Sequence, residues 1–321
     1  MTARTIATWI KERESAGKKS GSLLLSIFGD VVAPHGGAVA LGSVVQAGLL
    51  AGISEQTIRS SVNRLVADGW LTSEAMGRRS IYRFSDEGEK RFTMVAQRIY
   101  RHSKESWNGE WHIIIANNWK IDSELFHQCV RDLTWSGFGK AADNVFVRPK
   151  LASMSVCCAG ELAEVAASSM VCFFAQTASC ISQEPLVDLI ARAWDLQTIE
   201  SRYKQFIDRY KPLLALLLRN PPLEDSQAFA IRMFLIHDFR RIRVVDPLLP
   251  QGLLPNAWSG CRALQVAHDI YDLVLSASER YVMETMHGPE GKLPAVPSSF
   301  YKRFGGLTDP AQCQEDSTEL L

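Results

Sequence analysis

The sequence predicts a multidomain α+β protein, on three observations. Residues 22–101 read as helices, then a tight strand hairpin, then another helix. Residues 111–175 alternate short apolar strands with helices. From residue 184 onward the apolar residues recur at helical spacing. A chain of 321 residues, 46% apolar and 22% charged, is long enough for roughly two or three domains with buried cores. It is also too apolar and too weakly charged to be disordered as a whole.

The first helix expected is Ser22–Val32 (SLLLSIFGDVV), stopped by Pro34 and Gly36-Gly37. Residues Leu41–Ala51 read as a second helix, with Val44, Val45 and Leu49 at core spacing and Gly52 after its end. Ser54 then suits an N-cap and Glu55 suits the positive end of the helix dipole. The third helix, Glu55–Asp68, aligns Ile58, Val62, Leu65 and Val66 on one stripe and leaves Gln56, Thr57, Arg59, Ser60, Asn63 and Arg64 outside it. Residues 69–74 and Ser80–Phe84 alternate as two strands, joined by a turn over Ala75–Arg79 that carries Arg78 and Arg79. Ser85 caps a further helix from Asp86 to about Arg101. Two helices across a tight turn, then a basic hairpin, make a winged helix-turn-helix plan. Helix three would read base edges in the major groove while the wing arginines grip phosphate or the minor groove. Such modules also serve as protein-protein adaptors, and a polar helix face is commonly only a solvated one.

Charge bears on that choice. Lys+Arg and Asp+Glu are equal at 35 each, and a net charge of zero taken alone argues against nucleic acid. The average conceals a partition: residues 1–104 hold 15 Lys+Arg and 9 Asp+Glu, a net of +6, and the remainder hold 20 and 26, a net of −6. Charges more than about 8 Å away are screened at physiological salt, so a basic N-terminal module can meet a phosphate backbone whatever the rest carries.

In the middle, Trp111–Ala116, Asn144–Arg148 and Met170–Ala175 read as strands, and Ser123–Trp135 and Glu161–Ser169 as helices. Later helices are expected over about 185–196, 198–218, 227–237 and 260–281. The expected organisation is an N-terminal extension (1–20), the winged module (21–104), an α+β domain (105–183), a helical domain (184–304) and a flexible tail (305–321).

Catalytic signals are weak. Gly137–Ala142 matches a loose GxGxxA, but it follows a helix and precedes a strand, the reverse of a dinucleotide site. No GxSxG, CxxC or HExxH occurs, and the seven histidines stand singly. The seven cysteines (Cys129, Cys157, Cys158, Cys172, Cys180, Cys261, Cys313) keep no disulfide rhythm and suit a reducing cytoplasm. A polar N-terminus without an apolar core, and no apolar run near 18–20 residues, predict neither a secretory leader nor a membrane span. No enzyme, metal or cofactor is expected; an acyl-CoA hydrolase is the rival reading.

The stretches LLLSIFGDVVAPHGGAVALGSVV, SEQTIRSSVNRLVADGWL and GRRSIYRFSDEGEKRF resemble the N-terminal domain of the PaaX family, bacterial repressors of phenylacetic-acid degradation operons. His237–Ala263 (HDFRRIRVVDPLLPQGLLPNAWSGCRA) is similar to the family's C-terminal signature. The resemblance implies a ferredoxin-like central domain, a helical C-terminal domain, action as a homodimer on operator DNA, and release by an aryl-acyl-CoA such as phenylacetyl-CoA. A CoA ester needs cations for its phosphates and an apolar slot for its acyl group. His237, Arg240, Arg241 and Arg243, with Trp258, are the expected effector contacts. The alternative stands beside it: those arginines can instead pair with Asp238 and Asp246, and Trp258 can be core.

Overall fold

The computed structural model describes residues 5–14, 20–100, 107–116, 123–151, 170–177, 184–219 and 221–309. They form two compact units that do not follow chain order. One gathers the described residues of Met1–His102, Lys204–Val244 and Cys261–Leu321; the other those of Ser103–Tyr203 and Val245–Gly260. The expected boundary at residue 184 falls inside the second unit, and the helix expected over Glu161–Ser169 lies outside the described residues.

The first unit opens with a helix the sequence reading left out, α1 (Ile6–Glu14). Its Ile6, Trp9 and Ile10 fall at i, i+3 and i+4 and are all buried. Trp9 packs its ring against Tyr210 (5.4 Å) and Phe234 (6.3 Å). Helix α2 (Ser20–Ile27) continues into one wide π turn over Phe28–Val32, closed by the Ala33 N–H donating to the Phe28 carbonyl at 2.8 Å. The short strand β1 (Ala38–Ala40) leads directly into α3 (Leu41–Leu49), and α4 (Glu55–Ala67) follows. Strands β2 (Leu71–Met76) and β3 (Arg79–Phe84) form the hairpin, and α5 (Asp86–Tyr100) starts where the Ser85 hydroxyl accepts from the Gly88 N–H at 2.9 Å.

These strands make an antiparallel sheet in the order β1-β3-β2. The hairpin is tighter than expected. Met76 pairs with Arg79, so only Gly77 and Arg78 lie in the turn, and toward it the first strand reaches two residues and the second one residue further than the alternation suggested. Gly77 makes this possible with φ +59°, the left-handed conformation a II′-type turn requires at its first central residue.

In the second unit β4 (Glu110–Ala116), β5 (Gly139–Ala142), β6 (Val145–Pro149) and β7 (Met170–Gln176) form an antiparallel sheet in the order β5-β6-β4-β7, with α6 (Ser123–Trp135) between β4 and β5 in the chain. Ile114, Ala116 and Phe146 pack with Cys129, Leu133 and Phe138 as its core. Most of the loose GxGxxA stretch is the edge strand β5, paired with β6, which leaves no phosphate-cradling loop there. Helix α7 (Glu184–Ala193) belongs to this unit, and the division between the units falls within α8 (Leu196–Leu217).

The remaining helices are α9 (Asp225–Arg243) and α10 (Ser259–Thr285), the latter capped by Glu200, whose carboxylate accepts from the Ser259 N–H (3.0 Å) and hydroxyl (2.6 Å). Helix α9 runs six residues beyond the expected His237. Arg240, Arg241 and Arg243 in its last turn complement the negative end of the dipole. A small hairpin, β8 (His287–Gly288) and β9 (Gly291–Lys292), follows in the part expected to be helical. No described helix is long and apolar enough to cross a membrane.

Candidate nucleic-acid interface

Helix α4 is fixed at its start by the Ser54 hydroxyl, which accepts from the Thr57 N–H at 3.3 Å. Ile58, Val62 and Leu65 are buried, so the helix is locked in rotation and its opposite face is turned outward. All six side chains expected on that face (Gln56, Thr57, Arg59, Ser60, Asn63 and Arg64) are exposed. Three are engaged locally: Arg59 pairs with Glu55 at 2.7 Å, the Ser60 hydroxyl donates to the Thr57 carbonyl at 3.1 Å, and the Thr57 and Ser54 hydroxyls share a hydrogen bond at 2.8 Å. Arg78 and Arg79 are exposed on the hairpin, and Arg83 beside them pairs with Glu74 at 3.3 Å. Among the described residues no acid pairs with Arg64, Arg78 or Arg79, so these three present uncompensated positive charge. The Arg59 and Arg83 pairs are solvent-exposed and worth at most about 1 kcal/mol each, so a competing phosphate can take either guanidinium at small cost.

What holds this surface in place is a buried polar network. Asp30, in the π turn after α2, accepts at its carboxylate from Arg232 Nε (2.7 Å), Tyr100 (2.5 Å), Tyr271 (3.0 Å) and Arg303 (2.9 Å). Its backbone carbonyl accepts from Arg232 (3.0 Å) and Arg303 (3.2 Å). Arg232 has 0% exposure and also donates to Glu279 (2.5 Å) and Ser278 (3.3 Å). Burial disfavours the Arg232 charge, but Asp30, Tyr271 and Glu279 more than offset it and its pKa is raised. Burial likewise disfavours ionised Glu279; the Arg232 charge, with the His35 ring 3.1 Å away, outweighs it and lowers its pKa to about 2. A second knot centres on Asp238, which accepts from Arg13 (2.5 Å), Arg209 (3.2 Å) and Tyr210 (2.9 Å) and so joins α1, α8 and α9.

The residues expected to meet an effector occupy positions along α9 and in the second unit. Arg240 donates to the Ser22 carbonyl and hydroxyl, both at 2.9 Å; Arg243 is buried and donates from Nε to the Arg98 carbonyl at 2.9 Å. His237 is buried with Nδ1 3.5 Å from the Ser26 hydroxyl, and Arg241 is exposed. Asp238 takes the partners above, and Asp246 accepts from the Tyr203 hydroxyl. Trp258 belongs to the other unit and meets Tyr203 edge-on at 5.9 Å.

Sequence reasoning missed Asp30, Arg232, Glu279 and Arg303. The signal was present for the first two, each a lone charge inside an apolar run (SIFGDVV, AIRMFLI), which demands a buried partner. Nothing local says which partner, since Asp30 and Arg232 are 202 residues apart.

Fold and surface together define a class: a mixed helix-and-sheet protein that displays a polar, cationic helix beside a cationic hairpin. Comparison with known proteins narrows it. Residues 19–88 match the family model described as PaaX-like protein, and residues 194–284 match PaaX-like protein C-terminal domain. The chain is 34% identical over 316 residues to the Transcriptional repressor PaaX of Escherichia coli (strain K12), covering 96% of this chain and 98% of that one. It belongs to the PaaX family. A solved structure, an uncharacterized protein Rv0674 from Mycobacterium tuberculosis, matches with a TM-score of 0.52 at 20% identity over 79% of this chain and 96% of that one, a likeness of fold alone.

Proposed function

We propose that this chain is a DNA-binding transcriptional repressor, not an enzyme, acting on an aromatic-acid (phenylacetate-type) catabolic operon in the cytoplasm. The observation that carries this is the near full-length identity to a relative named a transcriptional repressor. The exposed face of α4 and the unpaired Arg64, Arg78 and Arg79 support it, because a duplex needs donors in the groove and cations on its phosphates. In this reading residues 20–100 are a winged helix-turn-helix, with α4 as recognition helix and β2-β3 as wing. The sheet order β5-β6-β4-β7 with α6 is read as a ferredoxin-like domain. Gln56, Asn63 and Arg64 are the leading base or backbone contacts. Thr57, Arg59 and Ser60 join them once released from Ser54, Glu55 and the Thr57 carbonyl.

The protein acts as a homodimer, its two recognition helices roughly 34–36 Å apart on successive major grooves. An aryl-acyl-CoA such as phenylacetyl-CoA favours a conformation that spoils that spacing. The contacts of His237, Arg240, Arg243 and Trp258 favour structural roles for them. Arg241, exposed in the last turn of α9, is the member of that group an anionic effector reaches.

A mobility-shift titration on DNA from the protein's own promoter, across a salt series, tests the reading. Affinity should fall steeply and linearly in log-log form with salt, and added phenylacetyl-CoA should release the DNA. Binding that ignores salt and sequence would overturn it.

A further inference from the structure

We infer that the hairpin β8-β9, near the C-terminal end of the chain, is part of the DNA-binding surface: it forms the second wall of a groove, beside the wing, that takes one sugar-phosphate strand. This rests on the reading of the chain as a DNA-binding protein and adds to it an element some 200 residues removed from the wing.

The hairpin and the segment after it are fastened to the wing module through α3, the segment before β1, and β1 itself. The His287 N–H donates to the Ser43 hydroxyl at 2.9 Å, and His35 Nδ1 lies 2.6 Å from the Pro294 carbonyl. Strand β8 lies against β1, the strand that pairs with β3 of the wing. Their backbones are so close that a Cβ on Gly288 would sit 3.1 Å from the Ala38 carbonyl oxygen, which glycine avoids. The hairpin turn thereby faces the wing tip. Between them is a groove of about 420 Å³ lined by Met76, Gly77, Arg78, Arg79, Ile81 and Pro289.

The lining has a definite chemistry. Arg78 and Arg79 supply two cations, Met76 and Pro289 offer exposed apolar surface, and buried Ile81 lies beneath. Among the described residues no carboxylate lines it. A nucleic-acid strand alternates anionic phosphates with deoxyribose rings, and a surface that follows it needs cations next to small apolar faces. An acidic peptide would use the cations and leave the apolar wall without a role. Glu290 and Lys292 on the hairpin carry opposite charges, so the hairpin supplies shape while the wing supplies attraction.

The experiment places a charge where Pro289 now lines the groove. Pro289 is exposed in a turn, so Pro289→Glu, Pro289→Lys and the neutral reference Pro289→Ala should fold with unchanged thermal midpoints. Binding of each full-length protein to its promoter DNA is measured over a salt series. Pro289→Glu should bind roughly tenfold or more weakly, with the log-log salt slope shallower by about one, and Pro289→Lys should bind more tightly with a slope steeper by about one. Both charged variants matching Pro289→Ala in affinity and slope would overturn the inference. A wild-type protein that does not bind the DNA at all would instead remove the reading beneath it.

Discussion

Replacing Arg232 with methionine keeps the length and apolar bulk of the side chain and deletes the guanidinium at the centre of the buried network. The lost contacts are those to the Asp30 carboxylate (2.7 Å) and carbonyl (3.0 Å), to Glu279 (2.5 Å) and to Ser278 (3.3 Å). Breaking a buried ion pair from one side costs about 3–5 kcal/mol, because the surviving charge stays desolvated. Asp30 keeps Arg303, Tyr100 and Tyr271, and Glu279 at 17% exposure can rehydrate in part, so the lower end applies, about 3 kcal/mol. In a unit of this size each 1 kcal/mol moves the midpoint by about 2–4 °C, so thermal unfolding followed by circular dichroism should fall by about 6–12 °C. A double-mutant cycle with Asp30→Asn isolates the pair. The coupling should exceed about 1 kcal/mol, since the groups touch and share partners. A shift under about 2 °C for Arg232→Met, or additive single substitutions, would refute the assignment of this network as what holds the unit together.

Three more outcomes are expected. Glu279, with its pKa lowered to about 2 from 4.5, contributes stability above pH 4.5 that is lost as pH falls toward 2; urea midpoints of Glu279→Gln should lack that acid limb, and an unchanged limb would count against the pairing. Burial, and then the Arg148 charge, lower the His112 pKa to about 4 from 6.5, so the second unit favours the neutral ring. Its stability should be full above pH 6.5, decline as pH falls toward 4, and lose that dependence in His112→Gln, as read from the urea midpoint at each pH. Trp9→Ala should cost about 3–5 kcal/mol in denaturant titrations, because the ring is fully buried against Tyr210 and Phe234; a loss below about 1 kcal/mol would mean that α1 is dispensable.

Periodicity made α2 to α5 and the β2-β3 hairpin legible because their determinants are local. The Ser54 cap, the Ile58-Val62-Leu65 stripe and the arginines at the hairpin turn each act within a few residues, and the exposed face of α4 follows from the stripe alone. The strands β1, β5, β8 and β9 were not legible. They are two to four residues long and exist because a partner strand offers hydrogen bonds, so their own composition hardly matters. The arginines of α9 illustrate a different limit. Their type announced an anion, and the structure gives Arg240 and Arg243 backbone carbonyls on Ser22 and Arg98, groups that every residue carries and no pattern marks. The partition of charge into +6 and −6 was readable, but not that residues 204–244 would pack with the basic part.

The span of the Asp30 network has a consequence for the chain as it is made. The residues of α2 to α5 leave the ribosome early, yet Asp30 acquires Arg232 only 202 residues later and Arg303 only 273 residues later. At about 5–20 residues per second that is a wait of roughly 10–50 s, during which a carboxylate destined for the interior has no cation to accompany it. A fragment that ends before Arg232 therefore carries α4 and the β2-β3 hairpin and still cannot finish the core beneath them. Interrupted synthesis should yield chains open to proteolysis, not partial repressors that occupy operators.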